Sequence, residues 1–193
     1  MSLQETKQDL LKDLKIDETK RFTSLDAMVQ GDTRYLRDLR INVKNTLGSE
    51  NISPKEAYLL ALAVSSNEKN EVLKCSFTDY AKELGASEAE VAEIHACASM
   101  LSVNNVLYRF RHFAKHEAYN NMPAGIKMNV MMNPVLGKEF FELVSLAVSA
   151  VNGCESCVMS HEASVRNLGT SEARIFDAIR LASVIRGLSA VIH

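Results

Sequence analysis

The chain has no tryptophan, only three prolines and eight glycines in 193 residues, and an aromatic content of 6%. Proline and glycine punctuate chains that turn often, so their scarcity argues against a fold of many short strands. No alternation of apolar and polar residues of the kind typical of half-buried strands persists along the sequence. These absences predict an all-α protein.

The chain also lacks an excess of either charge, with 22 Lys and Arg against 24 Asp and Glu and a net charge of −2. It has no electrostatic attraction for nucleic acid or an anionic membrane, so we expect neither as a partner. The apolar region 140–151 contains Glu142 and two serines and is too short to span a bilayer. The first 21 residues are charged throughout and lack the apolar segment of a secretory signal. We therefore expect a cytoplasmic location.

Helix start signals occur at two places. Ser53 is followed by proline and then by Glu56, and Ser87 is followed by Glu90. Both patterns are typical of a capping box, in which serine and glutamate satisfy free amide groups of the first helical turn. Residues 120–137, with two prolines and two glycines, are predicted to form a connector.

The chain repeats itself: residues 62–101 align with 146–185 at a shift of 84, with 13 identities in 40 positions. The shared segments are LAVS at 62–65 and 146–149, LG at 84–85 and 168–169, and SEA at 87–89 and 171–173. Two packed copies of one helical unit bury apolar faces that neither buries alone. We predict an N-terminal helical arm at 1–52 and a domain at 53–193, with copies at about 54–108 and 137–191.

The second copy holds two of the four cysteines, Cys154 and Cys157, followed by His161. The equivalent residues of the first copy are Asn70, Leu73 and Phe77. Because the matching places are mostly apolar, the second copy is expected to point polar groups into a largely buried region. Unpaired polar groups there cost on the order of several kcal/mol, so a retained cluster indicates a function.

A helix starting near Gly153 places Cys154, Cys157 and His161 at i, i+3 and i+7, on one face. Cysteines at this spacing have Cα atoms about 5–6 Å apart, which a disulfide tolerates, and a helix N-terminus stabilises a thiolate. Glu142, on the preceding helix, is placed to orient the histidine. A one-residue gap aligns this glutamate with Leu59, and no gap aligns it with Tyr58.

The spacing leaves three alternatives open. The cysteines form a redox couple with a proton relay, or Cys154, Cys157, His161 and Glu142 bind zinc, or the two thiols are buried beside a hydrogen-bonded histidine. The remaining cysteines, Cys75 and Cys97, have no paired neighbour and are predicted to be small core residues.

Glu142, eleven intervening residues and Cys154-x-x-Cys157-x-x-x-His161 resemble the signature of the alkylhydroperoxidase D family. The wider stretch 128–169, from MNVMMNP to SVRNLG, is similar to that family, as are the linker beginning YRFRHF and the duplicated unit. The likeness covers most of the chain after about Pro54.

This resemblance implies an all-helical thiol peroxidase that reduces organic hydroperoxides to alcohols and forms a homo-oligomer, commonly a trimer. It implies dihydrolipoamide or a lipoylated protein as reductant, a peroxiredoxin of the alkyl hydroperoxide reductase C type as a further partner, and no metal or prosthetic group. Cys157 would be the peroxidatic thiol that becomes a sulfenic acid. Cys154 would donate a proton and then form the Cys154–Cys157 disulfide. His161 and Glu142 would form the relay.

One position departs from the family pattern, since some members have a histidine just before the second cysteine, where this chain has Ser156. Two other functions compete with the peroxidase. One is a carboxymuconolactone decarboxylase-like enzyme on the related fold, although that chemistry has no evident use for two vicinal thiols. The other is a non-catalytic protein that uses zinc or thiols for interaction.

Overall fold

The computed structural model describes residues 1–193 and is entirely helical, with ten α-helices and no strand. This confirms the all-α prediction. The helices are α1 (Leu3–Asp13), α2 (Thr23–Gln30), α3 (Tyr35–Leu47), α4 (Pro54–Asn67), α5 (Glu71–Glu83), α6 (Glu88–Ala114), α7 (Glu117–Asn121), α8 (Lys138–Val151), α9 (Glu155–Asn167) and α10 (Glu172–Ser189). A single 3-10 turn, Asn129–Met131, lies in the predicted connector. No helix is both long enough and apolar enough to cross a bilayer.

The predicted capping boxes are present at the starts of α4 and α6. Ser53 and Ser87 each accept a hydrogen bond from the backbone amide three residues on, and Glu56 and Glu90 each accept one from the backbone amide of the serine. Gly85 closes the turn after α5 with φ +89°. These local signals account for the helix ends because they satisfy groups that lack a partner inside the helix.

The helix bounds repeat along with the sequence. Subtracting 84 from the bounds of α8 and α9 gives the bounds of α4 and α5, and the start of α10 falls on the start of α6. The copies therefore align without a gap, and Glu142 corresponds to Tyr58. The gapped alignment with Leu59 was wrong.

The core centres on α8, where every residue from 140 to 149 is buried. This helix contacts α4, α6, α9 and α10, which places the two copies face to face. Arg174 of α10 links the copies, since its guanidinium donates to Glu56 at 2.8 Å and to Glu139 at 3.0 Å. Burial on all sides explains why nine of the fourteen residues of α8 are apolar.

The N-terminal helices pack on the same core. Leu10 and Leu11 of α1 and Leu36 of α3 are completely buried, and α3 lies against α10. A single cluster of 40 buried apolar residues extends from Leu3 to Ile192. The division of the chain into an arm at 1–52 and a domain at 53–193 remains a prediction.

Asn70 joins the start of α5 to the C-terminus. Its Oδ1 accepts from the Leu73 amide at 3.0 Å, and its Nδ2 donates to the carbonyls of Ser189, at 3.3 Å, and Ile192. The side chain is 5% exposed, so its loss leaves buried groups without partners. We expect Asn70→Ala to lower the free energy of unfolding by about 2–3 kcal/mol, measured by urea denaturation. Ser87→Ala, which removes an exposed cap, should cost only about 1 kcal/mol, and equal losses would contradict this role of Asn70.

Candidate active site

The turn between α8 and α9 fixes where the two cysteines lie. Gly153 has φ +66°, and its amide donates to the Ala150 carbonyl at 3.1 Å. The amide of Cys154 donates to the Ser149 carbonyl, also at 3.1 Å. This is the Schellman pattern that ends a helix, and it requires a residue that tolerates a positive φ. Cys154 is therefore both the residue that closes α8 and the N-cap of α9.

The two sulfur atoms are joined in a disulfide, with the Cα atoms 5.3 Å apart. Their surroundings differ. Cys154 is completely buried, whereas Cys157 is 7% exposed and lines a cleft of about 290 Å³. In this disulfide form, a molecule entering the cleft therefore meets the sulfur of Cys157, while that of Cys154 is covered.

The cleft lies between α6, α9 and the connector. Its lining residues are Asn104, Asn105 and Tyr108 from α6, Met128 and Met131 from the connector, and Ser156, Cys157, Ser160 and His161 from α9. His161 therefore shares the cleft with the more accessible thiol. The two methionines give one wall a soft, adaptable surface.

Glu142 and His161 form a hydrogen bond between α8 and α9. Nδ1 of His161 lies 2.7 Å from Oε2 of Glu142, and the side chains are 12% and 6% exposed. The histidine hydrogen bond lowers the pKa of Glu142 most strongly, burial opposes it, and Lys138, at 3.6 Å, also lowers it. An ionised carboxylate only accepts, so Nδ1 carries the hydrogen and Nε2 is the nitrogen left for proton exchange.

The first copy has an apolar version of this contact. Tyr58 and Phe77, which correspond to Glu142 and His161, have ring centroids 6.2 Å apart. Leu73, at the position of Cys157, is completely buried. The first copy thus keeps the scaffold without the cysteines, the histidine and the glutamate, as the sequence alignment predicted.

Sequence reasoning missed a polar network behind the cleft. Nδ2 of Asn105 donates to Ser149 at 3.0 Å, and its Oδ1 accepts from Nδ2 of Asn152 at 2.8 Å. Asn67 exchanges hydrogen bonds with Asn152, and Arg109 donates to the Asn152 carbonyl at 2.7 Å. The network ties α4 and α6 to the turn that carries Cys154. No pattern in the sequence distinguishes these asparagines from exposed ones.

Ser156 stands where some family members have a histidine. Its hydroxyl lies 3.8 Å from the sulfur of Cys154, so it contacts the buried end of the disulfide. Ser156 and Tyr108 also border a second hollow of about 390 Å³, which contains the basic residues Arg111, His112 and Lys115. Arg111 and Lys115 give this neighbouring hollow a basic lining, and His112 lies 3.2 Å from the carboxylate of Glu155.

The other cysteines are separate from this site. Cys97 is buried 3.6 Å from the hydroxyl of Ser145, and burial raises the pKa of its thiol to about 12. The prediction of a core residue is confirmed for Cys97 and wrong for Cys75, which is exposed. No group of three or more His, Cys, Asp or Glu side chains is arranged to hold a metal ion, and the disulfide occupies both sulfurs of the zinc alternative.

Fold and site together define a class: an all-helical protein with a C-x-x-C pair at a helix N-terminus, beside a Glu–His pair. A model of the carboxymuconolactone decarboxylase family matches residues 117–193. The chain is 36% identical over 171 residues to alkyl hydroperoxide reductase AhpD of Anaeromyxobacter dehalogenans, covering 88% of this chain and 91% of that protein. It is 35% identical over 170 residues to the protein of the same name from Rhodopseudomonas palustris, covering 88% and 93%. The chain belongs to the alkylhydroperoxidase D family.

A solved structure shares the fold. It is described as a gamma-carboxymuconolactone decarboxylase subunit from Burkholderia xenovorans and superposes with a TM-score of 0.69, covering 98% of this chain and 94% of that one. The sequence identity is 14%, so the likeness concerns the fold alone.

The lowered pKa of Glu142 has a consequence for stability. Because the folded-state pKa lies below the usual value of 4.5, the ionised carboxylate contributes stability above that value and loses it as the pH falls through the folded-state pKa. Glu142→Gln should therefore flatten the loss of stability below about pH 4.5, measured by urea denaturation from pH 7 to pH 3. Glu18→Gln, which changes an exposed carboxylate with no partner, should keep the wild-type slope. A wild-type slope in Glu142→Gln would contradict this linkage.

Proposed function

We propose that this protein is a thiol-dependent peroxidase that reduces organic hydroperoxides through the Cys154–Cys157 dithiol, in antioxidant defence. The observation that carries the proposal is the asymmetry of the pair: Cys157 and His161 line one cleft, while Cys154 is buried behind it. A peroxidatic thiol must meet its substrate, and a resolving thiol needs to meet only its partner. The names of the relatives, alkyl hydroperoxide reductase, support the same chemistry.

In the reduced protein, His161 accepts a proton from the dithiol through Nε2, and Glu142 stabilises the resulting imidazolium. Cys157 is the third residue of α9, where the partial positive charge of the helix N-terminus favours the thiolate. Ser156 carries a hydroxyl rather than an imidazole, so the relay consists of one histidine and one carboxylate.

The reaction then balances in two steps. The Cys157 thiolate attacks the distal oxygen of the hydroperoxide, the O–O bond breaks, and the alkoxide takes a proton from Cys154 to become an alcohol. The Cys154 thiolate attacks the sulfur of the Cys157 sulfenic acid, forms the disulfide and releases water with a proton from His161. No metal or prosthetic group is required.

A dihydrolipoamide-type donor completes the cycle in this proposal. A thiolate of the donor attacks a protein sulfur, and the cleft exposes only that of Cys157. Lipoamide, free or on a lipoylated protein, presents its dithiol on a thin, flexible chain that suits a cleft of about 290 Å³. A peroxiredoxin of the alkyl hydroperoxide reductase C type would use the same dithiol for its own reduction. The cytoplasm is the compartment we propose, since a cycling dithiol needs a reducing environment.

We also propose a homo-oligomer, with a trimer as the expected form. Val103, Val106, Phe110 and Phe113 are between 49% and 67% exposed and follow one another at helical spacing on α6. Such a continuous apolar stripe is typical of a protein–protein interface. A second copy of the chain would cover it.

The second candidate is a carboxymuconolactone decarboxylase-like enzyme. The family model that matches residues 117–193 and the fold of the Burkholderia protein favour it. The disulfide at the cleft counts against it, because decarboxylation does not use a dithiol. A non-catalytic protein that uses zinc or thiols for interaction has no such observation in its favour.

Substitution of each cysteine tests the assigned roles. Cys157→Ser should abolish hydroperoxide turnover, because it removes the attacking sulfur. Cys154→Ser should stop turnover and accumulate a sulfenic acid at Cys157 that dimedone traps, detected by mass spectrometry. Cys75→Ser, at an exposed cysteine outside the site, is the matched control and should keep the wild-type rate. Wild-type turnover in either of the first two variants would remove the mechanism.

Comparison of electron donors tests the reductant. With cumene hydroperoxide as substrate, dihydrolipoamide should support turnover at least tenfold faster than equal thiol concentrations of glutathione. After the first exchange forms a mixed disulfide with the protein, the second thiol of a dithiol donor resolves it within the same molecule. A monothiol donor has no second thiol with which to do so. Thioredoxin with its reductase serves as a second dithiol donor, whose cysteines sit on a folded protein and not on a flexible arm. Faster turnover with glutathione or thioredoxin would refute the lipoamide assignment.

A further inference from the structure

Oδ1 of Asn104 is the only buried side-chain nitrogen or oxygen in the chain without a hydrogen-bond partner. Asn104 lies on α6, is 6% exposed and lines the same cleft as Cys157 and His161. Buried polar atoms in folded proteins are nearly always paired, so an exception requires a physical explanation. Its position beside the accessible thiol points to a ligand.

The neighbouring residue shows what a structural asparagine does in this helix. Asn105 is 2% exposed and uses both ends of its carboxamide, one with Ser149 and one with Asn152. Asn104 has a single contact, from Nδ2 to the sulfur of Met128 at 2.9 Å. A thioether is a weak acceptor. The carboxamide of Asn104 can therefore rotate without breaking any other hydrogen bond.

We propose that Asn104 binds the peroxide group of the substrate, an inference that rests on the proposed function. Its Oδ1, turned toward the cleft, accepts the hydrogen of the O–O–H group and holds the distal oxygen toward the Cys157 thiolate. The ligand class is thus a hydroperoxide, whose terminal O–H a dialkyl peroxide lacks.

The chemistry of the step agrees with this contact. As the S–O bond forms and the O–O bond breaks, the electron pair leaves with the alkoxide, which takes its proton from Cys154. The hydrogen on the distal oxygen stays in place and becomes the hydrogen of the Cys157 sulfenic acid. Oδ1 of Asn104 therefore accepts the same hydrogen before and after the transfer, which keeps the reacting oxygen in line with the sulfur.

The test measures Cys157 alone, in a full-length protein that carries Cys154→Ser and Cys75→Ser. Two second-order rate constants are measured: oxidation by cumene hydroperoxide, and reaction with methyl methanethiosulfonate, which has no O–H group to bind. Asn104→Leu is close to the wild-type side chain in volume but has no hydrogen-bonding atoms. It should lower the rate constant for cumene hydroperoxide at least tenfold and leave that for methyl methanethiosulfonate within twofold. Asn104→Ala should behave alike, so the test does not depend on one variant folding.

Thermal stability supplies the matched control. Asn104→Leu should leave Tm unchanged or higher, because it removes an unpaired polar atom, whereas Asn105→Leu should lower Tm by breaking the network. Two results would overturn the role of Asn104 but leave the proposed function standing. One is an unchanged peroxide rate constant in both Asn104 variants, and the other is an equal fall of the rate constants for both reagents. Failure of the reduced wild-type protein, which keeps Cys154, to be oxidised by cumene hydroperoxide, tert-butyl hydroperoxide and hydrogen peroxide would instead refute the proposed function, and the inference with it.

Discussion

The hydrogen bond between Glu142 and His161 is the contact on which the rest of the site depends. It joins two helices through side chains that are almost completely buried, so each partner needs the other to avoid an uncompensated polar group. The pair fixes the tautomer of the imidazole, and His161 lines the cleft. The tight turn after α8 keeps that geometry, because Cys154 both ends one helix and caps the next.

The duplication explains how a buried polar pair is tolerated in this fold. In the first copy the same places hold an aromatic pair, a completely buried leucine and an N-cap asparagine, all of which contribute to packing or capping. In the second copy they hold Glu142, His161 and the two cysteines. One copy thus supplies apolar burial, while the other carries groups that contribute less to packing. Arg174, bridging carboxylates of α4 and α8, holds the two copies in register.

The cleft distinguishes the two sulfur atoms of the C-x-x-C pair by their access to solvent. The spacing C-x-x-C does not say which sulfur meets solvent, since both lie in the first turn of one helix. In the folded chain Cys154 is completely buried, whereas Cys157 lines a cleft together with His161, residues of α6 and residues of the connector. The asparagines of α6 face the same region, one bound into the network and one without a partner for its oxygen. The assignment of a reacting and a resolving thiol depends on this difference in access.

The sequence by itself determined the helical class, the caps at Ser53 and Ser87 and the common helix face of Cys154, Cys157 and His161, because each depends on residues a few positions apart. It also determined the repeat at a shift of 84, because the two copies can be compared directly. The sequence also predicted that Glu142 orients His161, and the family resemblance implied that Cys157 reacts. Only the tertiary structure decided that Nδ1 is the nitrogen that meets Glu142, that Cys157 is the sulfur at the cleft, that Cys75 is exposed and that Asn104 lines the cleft. These facts depend on how α6, α8 and α9 pack and on where the connector lies. The physical reason is that burial and pairing are properties of the whole core, and helical periodicity specifies a face but not the element that will cover it.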